Sequence, residues 1–140
     1  MDERELEQLV RQLLLERLGA PVHGVRRAVL PQVTEADRLD TGRNGDRAYT
    51  RDLFTLEESP RLGAGVMEVA DSDFPWHLEY DELDYVISGR LDIHVGGETV
   101  SAGPGEVILI PAGSDIRFAA RGRARFLYVT YPADWNQPKH

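Results

Sequence analysis

The hydrophobic positions at the start of the chain recur at helical spacing and predict an amphipathic helix over residues 1–18. Asp2 is suited to cap this helix, and Glu5 follows three residues later, as in a capping box. Gly19 and Pro21 then predict its end. The apolar stripe consists of Leu6, Leu9, Val10, Leu13, Leu14 and Leu18.

This stripe permits two interpretations. It can pack on the rest of the chain or pair with its copy in a dimer, or it can bind as a detachable docking helix in a groove of another protein. The segment from Ala20 to Gly24 contains a proline and a glycine and has the composition of a linker. That composition favours a detachable helix.

From Arg47 onward, short apolar and polar alternations predict a series of strands. Turn-forming residues separate them, and Gly96-Gly97 has the composition of a two-residue hairpin loop. This rhythm is typical of an antiparallel sandwich or barrel rather than a parallel sheet. A further strand is predicted near 25–30, within an irregular segment. The other predicted strands lie near 48–54, 64–70, 74–80, 83–88, 90–95, 98–101, 106–110, 115–120 and 124–131.

These patterns divide the chain into a helix, a connecting segment, a β-rich body and a short tail. We expect the tail to be frayed, since it follows the last predicted strand. The corresponding ranges are 1–19, 20–46, 47–134 and 135–140.

Composition limits the possible functions. The chain has 140 residues, of which 41% are hydrophobic, which suits one packed domain with an extension. It has no apolar run long enough for a membrane span, no recognisable secretion signal and no cysteine, as expected of a cytoplasmic protein. The net charge of −8 argues against nucleic acids and anionic membranes as partners.

Positive charge comes almost entirely from arginine, because Lys139 is the one lysine of the chain. A phosphate or carboxylate ligand must therefore be held by arginine, by backbone N–H groups or through a metal ion.

Two segments resemble the two halves of the cupin signature. Glu82 is followed by six residues and Gly89, and Gly105 is followed by five residues and the sequence Pro111-Ala112-Gly113. The resemblance implies an all-β fold, the cupin double-stranded β-helix or jelly-roll barrel, preceded here by the N-terminal amphipathic α-helix.

The metal ligands of cupins are largely missing. Counting back from Glu82, the two expected histidines fall on Pro75 and His77 or on Trp76 and Leu78, and the last ligand position is Ile116. At most His77 and Glu82 remain, which is too few for a tightly bound transition metal. Strand alternation indicates that, if Glu82 points inward, His77 and Glu79 point outward, whereas the inward set also includes Trp76, Leu78, Tyr80 and Asp84.

Three longer sequence segments resemble the ethanolamine-utilisation cupin family (EutQ-like). They cover residues 60–68, 76–89 and 126–135, and the similarity extends over roughly residues 25–135. The chain differs from other members in having His77 and almost no lysine. Members of this family are cupins without the histidine metal site and are encoded with bacterial microcompartments. Acetate kinase activity with ATP and a divalent cation has been attributed to some of them.

The resemblance implies phosphoryl transfer between ATP and a short carboxylic acid, with Mg²⁺, in a microcompartment lumen. It also implies that residues 1–19 are an encapsulation peptide that binds a shell protein. Cupins commonly pair, so we expect a homodimer, in which residues 25–54 could supply an exchanged strand.

The candidate catalytic residues are Tyr80, Glu82 and Asp84. The two carboxylates stand about 7 Å apart along a strand and are suited to share a hydrated Mg²⁺ with a phosphate. Trp76 and Tyr128 are the candidate substrate-binding residues within the barrel. Arg61 is the first candidate for an anion clamp, and Arg125 is the second.

Other interpretations stay open at this point. The carboxylates can pair with arginines of the barrel, and Trp76 and Tyr128 can simply fill the core. The sequence has no P-loop or other nucleotide-binding glycine run, which weakens the kinase hypothesis. The alternatives are a non-catalytic cupin that binds a small molecule or organises cargo and shell, and a metal-dependent dioxygenase or isomerase.

Overall fold

The structure is a computed structural model that describes residues 1–18 and 20–136, with only the backbone described for residues 14–18. Helix α1 covers Glu3–Leu18, as predicted. The capping box is present, since the Glu5 N–H donates to Asp2 Oδ1 at 2.7 Å and the Asp2 N–H donates to Glu5 Oε2 at 3.2 Å. The predicted helix end at Gly19 lies outside the described residues.

The body is an antiparallel β-structure, which confirms the predicted class. Its main sheet has the order β1-β2-β7-β3-β6, and β4 pairs with both β5 and β7. A 3₁₀ turn, Glu35–Asp37, precedes it. Within the described residues the strands are β1 Arg47–Asp52, β2 Gly63–His77, β3 Asp81–Ser88, β4 Leu91–Val95, β5 Glu98–Ala102, β6 Val107–Ile110 and β7 Asp115–Tyr131.

Two predicted strand breaks are bulges instead. Strands β2 and β7 run through them and pair along almost their whole lengths, with a register shift between Ala70 and Ser72. Asp71 has a positive φ of 44°, and its Oδ1 accepts a hydrogen bond from the Gly122 N–H at 2.6 Å. The turn-forming residues there therefore bend two long strands rather than separate four short ones.

Residues 20–46 are more than a linker. No strand forms at 25–30, so that prediction was wrong; the segment instead follows the sheet through polar contacts. Arg125 donates to the Pro31 carbonyl at 2.9 Å, and the Tyr49 hydroxyl donates to Glu35 Oε1 at 2.8 Å. The backbone of the segment also pairs with β1, since the Leu39 N–H donates to the Ala48 carbonyl at 2.8 Å and Arg38 forms an antiparallel bridge with Tyr49.

The core fills the space between the strands. Phe74, Phe118 and Phe126 are fully buried together with Leu78, and each such side chain contributes about 1.5–3 kcal/mol through burial. The inward face of β3 continues this core towards Glu82 and Asp84. The centre of the fold is therefore apolar, with two acids at its margin.

The described side chains of the helix stripe are exposed. The exposed fractions are 52% for Leu6, 41% for Leu9, 47% for Val10 and 54% for Leu13. An ion pair of 2.6 Å between Arg11 Nη2 and Glu58 Oε1 joins the helix to the loop after β1. No helix in the described part of the chain is long and apolar enough to cross a membrane.

Candidate functional site

Alternation along β3 places the two predicted acids inside the barrel, and Tyr80 is buried in the bend before this strand. Tyr80, Glu82 and Asp84 are buried, with exposed fractions of 4%, 5% and 0%. Trp76 is half-buried on the same side, whereas His77 and Glu79 are exposed, as expected.

His77 takes no part in this site. Its Nδ1 lies 2.6 Å from Asp115 Oδ1 on the outer surface. Ile116, at the last ligand position of the cupin signature, is buried opposite Trp76. The described residues contain no group of three or more His, Cys, Asp or Glu side chains arranged to hold a metal ion.

The two inward carboxyl groups lack ordinary partners. Glu82 Oε2, both carboxyl oxygens of Asp84 and Thr130 Oγ1 are buried without a geometrically identified partner in the described structure. Glu82 faces Thr130 across the β3–β7 ladder, and Asp84 faces Tyr128. The alternative in which these carboxylates pair with barrel arginines is therefore not realised. Buried polar atoms without partners are rare in folded proteins, and a catalytic role or a bound water or ion is among their explanations.

Burial changes the protonation of both groups. It raises the pKa of Glu82 to about 7, against the opposing effect of a hydrogen bond with Asp84. It raises the pKa of Asp84 well above its ordinary value, and the neighbouring charge of Glu82 adds to the rise. The pair therefore retains a proton near neutral pH.

A pocket opens above Glu82, with about 260 Å³ of empty space that includes its solvent-open side. With Trp135 in its observed position, the interior has room for about one water molecule. Among the described residues that line it, none is arginine, lysine or histidine. The lining consists of Leu39, Thr50, Met67, Trp76, Tyr80, Glu82, Phe118, Tyr128 and Trp135.

Trp135 closes the mouth of this pocket. Its ring centroid lies 6.3 Å from that of Trp76, 5.9 Å from that of Tyr80 and 5.8 Å from that of Tyr128. The expectation of a frayed tail is wrong at this residue, because the indole finds three aromatic partners. The sequence could have indicated an ordered Trp135, since the last segment that resembles the family extends to this residue. Residues 137–140 lie outside the described residues.

Hydrogen bonds fix the two tyrosines. Trp76 Nε1 donates to the Tyr80 hydroxyl at 2.8 Å, and the Tyr128 hydroxyl donates to Asp52 Oδ1 at 2.5 Å. Burial is the main cause that raises the pKa of both phenols well above the ordinary value. Both therefore remain protonated, and the Tyr80 proton is available to a ligand. Sequence reasoning missed Asp52, which reaches the site from the end of β1.

Two glycines make room for side chains around this site. A Cβ at Gly65 would collide with the Tyr128 phenol, and a Cβ at Gly63 would collide with Thr130 Oγ1. Both glycines face these residues in the β2–β7 register. The close approach of β2 to the last strand therefore depends on the absence of side chains at these two positions.

The predicted arginines lie elsewhere. Arg61 is exposed in the loop between β1 and β2 and does not line the pocket. Arg125 pairs with Glu68 Oε2 at 2.9 Å, beside the segment that contains Pro31. The structure thus brings together Trp76, Tyr80, Glu82, Asp84 and Tyr128 but leaves both arginines outside.

A wider, open cleft of about 650 Å³ adjoins the pocket. Leu39 and Thr50 line both spaces. The other residues along the cleft are Ala36, Asp37, Arg38, Asp40 and Asn136.

The donor set suits a hard cation. Carboxyl oxygens of Glu82 and Asp84 and the Thr130 hydroxyl are oxygen ligands of the kind that Mg²⁺ prefers, usually with several waters. They do not match the nitrogen and sulfur ligands typical of tightly bound zinc. The ligand chemistry of these residues is therefore that of Mg²⁺ rather than of zinc.

Comparison with known proteins identifies clear relatives. The profile of the family described as "Ethanolamine utilisation protein EutQ" matches residues 1–137. The chain is 50% identical to the acetate kinase EutQ of Clostridioides difficile strain 630, over 96% of this chain and 94% of that protein. It is 44% identical to the acetate kinase EutQ of Salmonella typhimurium, over 60% of this chain and 37% of that protein.

Solved structures agree with this relationship. The Clostridium difficile EutQ structure has a TM-score of 0.80 and 55% identity, and the match covers 84% of this chain and 87% of that one. The cupin domain of Schizosaccharomyces pombe Cnp3 has a TM-score of 0.53 and 20% identity, over 61% of each chain. The second likeness concerns the fold alone, and it confirms the predicted cupin fold.

Proposed function

Because the chain belongs to the EutQ family of ethanolamine utilisation proteins, we propose that it transfers a phosphoryl group between ATP and a short carboxylic acid. The relative from C. difficile, half identical over nearly its full length, carries the name acetate kinase. The observation that carries the proposal is the buried Glu82–Asp84 pair, which has unpartnered oxygens and whose Glu82 lines a small pocket.

Glu82, Asp84 and Thr130 would hold Mg²⁺. When bound, the ion would supply neutralisation of phosphate charge, the main requirement of phosphoryl transfer. No arginine lines the pocket within the described residues. An anionic substrate would therefore be held by a cation bound at the carboxyl pair.

Other pocket residues would orient the carboxylic acid. Tyr80 keeps its phenol proton and can donate it to a carboxylate oxygen, while Trp76 and Trp135 exclude water from the interior. The open cleft lined by Leu39 and Thr50 offers room for the nucleotide. Arg61, exposed on the loop before β2, remains our candidate for a clamp on the outer phosphates.

A coupled assay tests the reaction. Purified protein with ATP, acetate and Mg²⁺ is expected to produce ADP and acetyl phosphate, and omission of Mg²⁺ or addition of a chelator should abolish production. Stoichiometric iron, manganese, zinc or nickel in the purified protein would instead favour a metal-dependent dioxygenase or isomerase.

We also propose that the protein is cargo in the lumen of a bacterial microcompartment, with residues 1–19 as the segment that binds a shell protein. The apolar stripe of α1 supports this role, because Leu6, Leu9, Val10 and Leu13 are exposed to solvent. An amphipathic helix of this kind can bind in an apolar groove.

We further propose that the protein is a homodimer. Strands β3 and β6 present an outward apolar patch, in which Leu83 pairs with Leu109 and Tyr85 pairs with Val107. All four side chains are exposed in the single chain. A second copy would cover this patch, and a monomer by light scattering at micromolar concentration would contradict that arrangement.

One observation favours a second function, that of a non-catalytic cupin that binds a small molecule or organises cargo and shell. The pocket has room for about one water molecule in its observed state, and the chain has no P-loop. Shell co-purification that depends on residues 1–19, without turnover in the coupled assay, would support this function over the kinase.

A further inference from the structure

The pocket above Glu82 has the chemistry of a receptor for a cation. Rings of Trp76, Tyr80, Tyr128 and Trp135 line it, and a carboxyl group lies among them. The faces of aromatic rings attract positive charge, as does a carboxylate. In the absence of a metal ion, the ring faces and the carboxylate both repel an anion.

Glu82 points independently to a missing ligand. Its side chain is almost completely buried and lines the pocket, and its Oε2 has no identified partner among the described residues. A buried carboxylate oxygen without a donor is costly, and a charged N–H donor is the strongest partner that it can receive. An ammonium group provides three such donors.

We propose that this pocket binds a short primary alkylammonium ion, with the ammonium group on Glu82 and against the rings of Trp76 and Trp135. The small interior favours a ligand of a few heavy atoms, and entry requires a shift of Trp135 because little more than one water fits behind it.

Two further polar groups of the pocket can bind the other end of the ligand. Thr50 lines the pocket, and Tyr80 holds a phenol proton that no described acceptor takes. Both can hydrogen-bond a hydroxyl group at the other end of the ligand. A two-carbon amino alcohol meets these requirements, and ethanolamine, which appears in the family's description, is such a compound.

This inference does not rest on phosphoryl transfer. The ammonium ion and Mg²⁺ would use the same Glu82 carboxylate, so Mg²⁺ is expected to weaken binding of the ammonium ion whether or not the protein has kinase activity. Loss of turnover and loss of amine binding are therefore separate results.

Intrinsic fluorescence gives a direct readout, because Trp76 and Trp135 are the two tryptophans of the chain and both line the pocket. The full chain is titrated at pH 8, in an amine-free buffer, with ethanolamine, ethylene glycol and glycolate. These probes share a hydroxymethyl group and differ in bearing a cationic, a neutral or an anionic second group.

We expect a saturable change with ethanolamine, at least tenfold weaker binding of ethylene glycol and no binding of glycolate. Glu82→Gln should lower ethanolamine affinity at least tenfold, whereas Glu79→Gln, which changes an exposed carboxylate, should leave it unchanged. Equal binding of ethylene glycol, preferential binding of glycolate, absence of ethanolamine binding or full affinity in Glu82→Gln would each overturn the proposal. If Glu82→Gln fails to fold, the three-probe comparison on the unmodified chain decides.

Discussion

The carboxyl groups of Glu82 and Asp84 lie on the inward side of β3, two positions apart along the strand. Both side chains are buried, and three of their four oxygens have no hydrogen-bond partner in the described structure. Such a pair costs stability unless a proton or a cation neutralises it. This relationship underlies both the proposed phosphoryl transfer and the proposed amine site.

The first prediction concerns stability and pH. Burial raises the pKa of Glu82 from 4.5 to about 7 on folding and raises that of Asp84 as well. Between pH 4.5 and about 7 the folded state therefore holds more protons than the unfolded state. The protonated Glu82 is tolerated inside the barrel at low pH, and the free energy of unfolding decreases as pH rises towards 7 and this carboxyl group ionises. Glu82→Gln should therefore gain stability relative to the unmodified protein by roughly 1–3 kcal/mol between pH 5 and pH 8.

Urea unfolding at the two pH values measures this gain. Glu79→Gln serves as the matched control, because Glu79 is exposed on the neighbouring segment. An identical difference between Glu82→Gln and the unmodified protein at both pH values would mean that the buried acid does not titrate as described.

The second prediction concerns Gly65. A methyl group there meets the Tyr128 phenol and the Arg51 carbonyl, so Gly65→Ala should destabilise the fold by about 1–3 kcal/mol in urea unfolding. Gly45→Ala is the control, since its added Cβ meets nothing within 4 Å. Equal stability of the two variants would argue against close packing of β2 on β7 at the site.

Local alternation accounts for what the sequence could predict of this site. It correctly assigned Glu82 and Asp84 to the interior, because successive side chains of a strand alternate between faces. Tyr80 is also buried as predicted, although it lies in the bend between β2 and β3. Alternation could not reveal Asp52, whose contact with Tyr128 joins residues 76 positions apart. The turn-forming residues around Asp71 predicted a break between two strands. They form a bulge instead, because the strands on either side remain paired.

The third prediction concerns Trp135. In Trp135→Ala, Trp76 is the one remaining tryptophan, and it loses the indole that covers it. Its emission should shift to longer wavelength and become more accessible to acrylamide. Trp135→Phe should retain most of the shielding, because a ring still occupies the mouth. Unchanged emission in Trp135→Ala would show that this residue does not close the pocket.

The fourth prediction concerns the helix stripe. Leu9→Glu with Leu13→Glu should abolish co-purification with shell proteins while changing the free energy of unfolding by about 0.5 kcal/mol or less, because both leucines are exposed. Gln8→Glu with Gln12→Glu adds the same charge to the opposite face and should preserve co-purification. Loss of binding in both double variants would indicate an effect of charge rather than of the apolar face.

The most direct test of the account is the rate of acetyl phosphate formation from ATP and acetate with Mg²⁺ in Glu82→Gln, compared with Glu79→Gln. Loss of a carboxylate that holds Mg²⁺ should lower the rate by on the order of 100-fold or more, as expected if several kcal/mol of charge stabilisation are removed. Glu79→Gln should retain the rate of the unmodified protein. An equal rate in both variants would contradict the central claim that the buried carboxyl pair is the site of the chemistry.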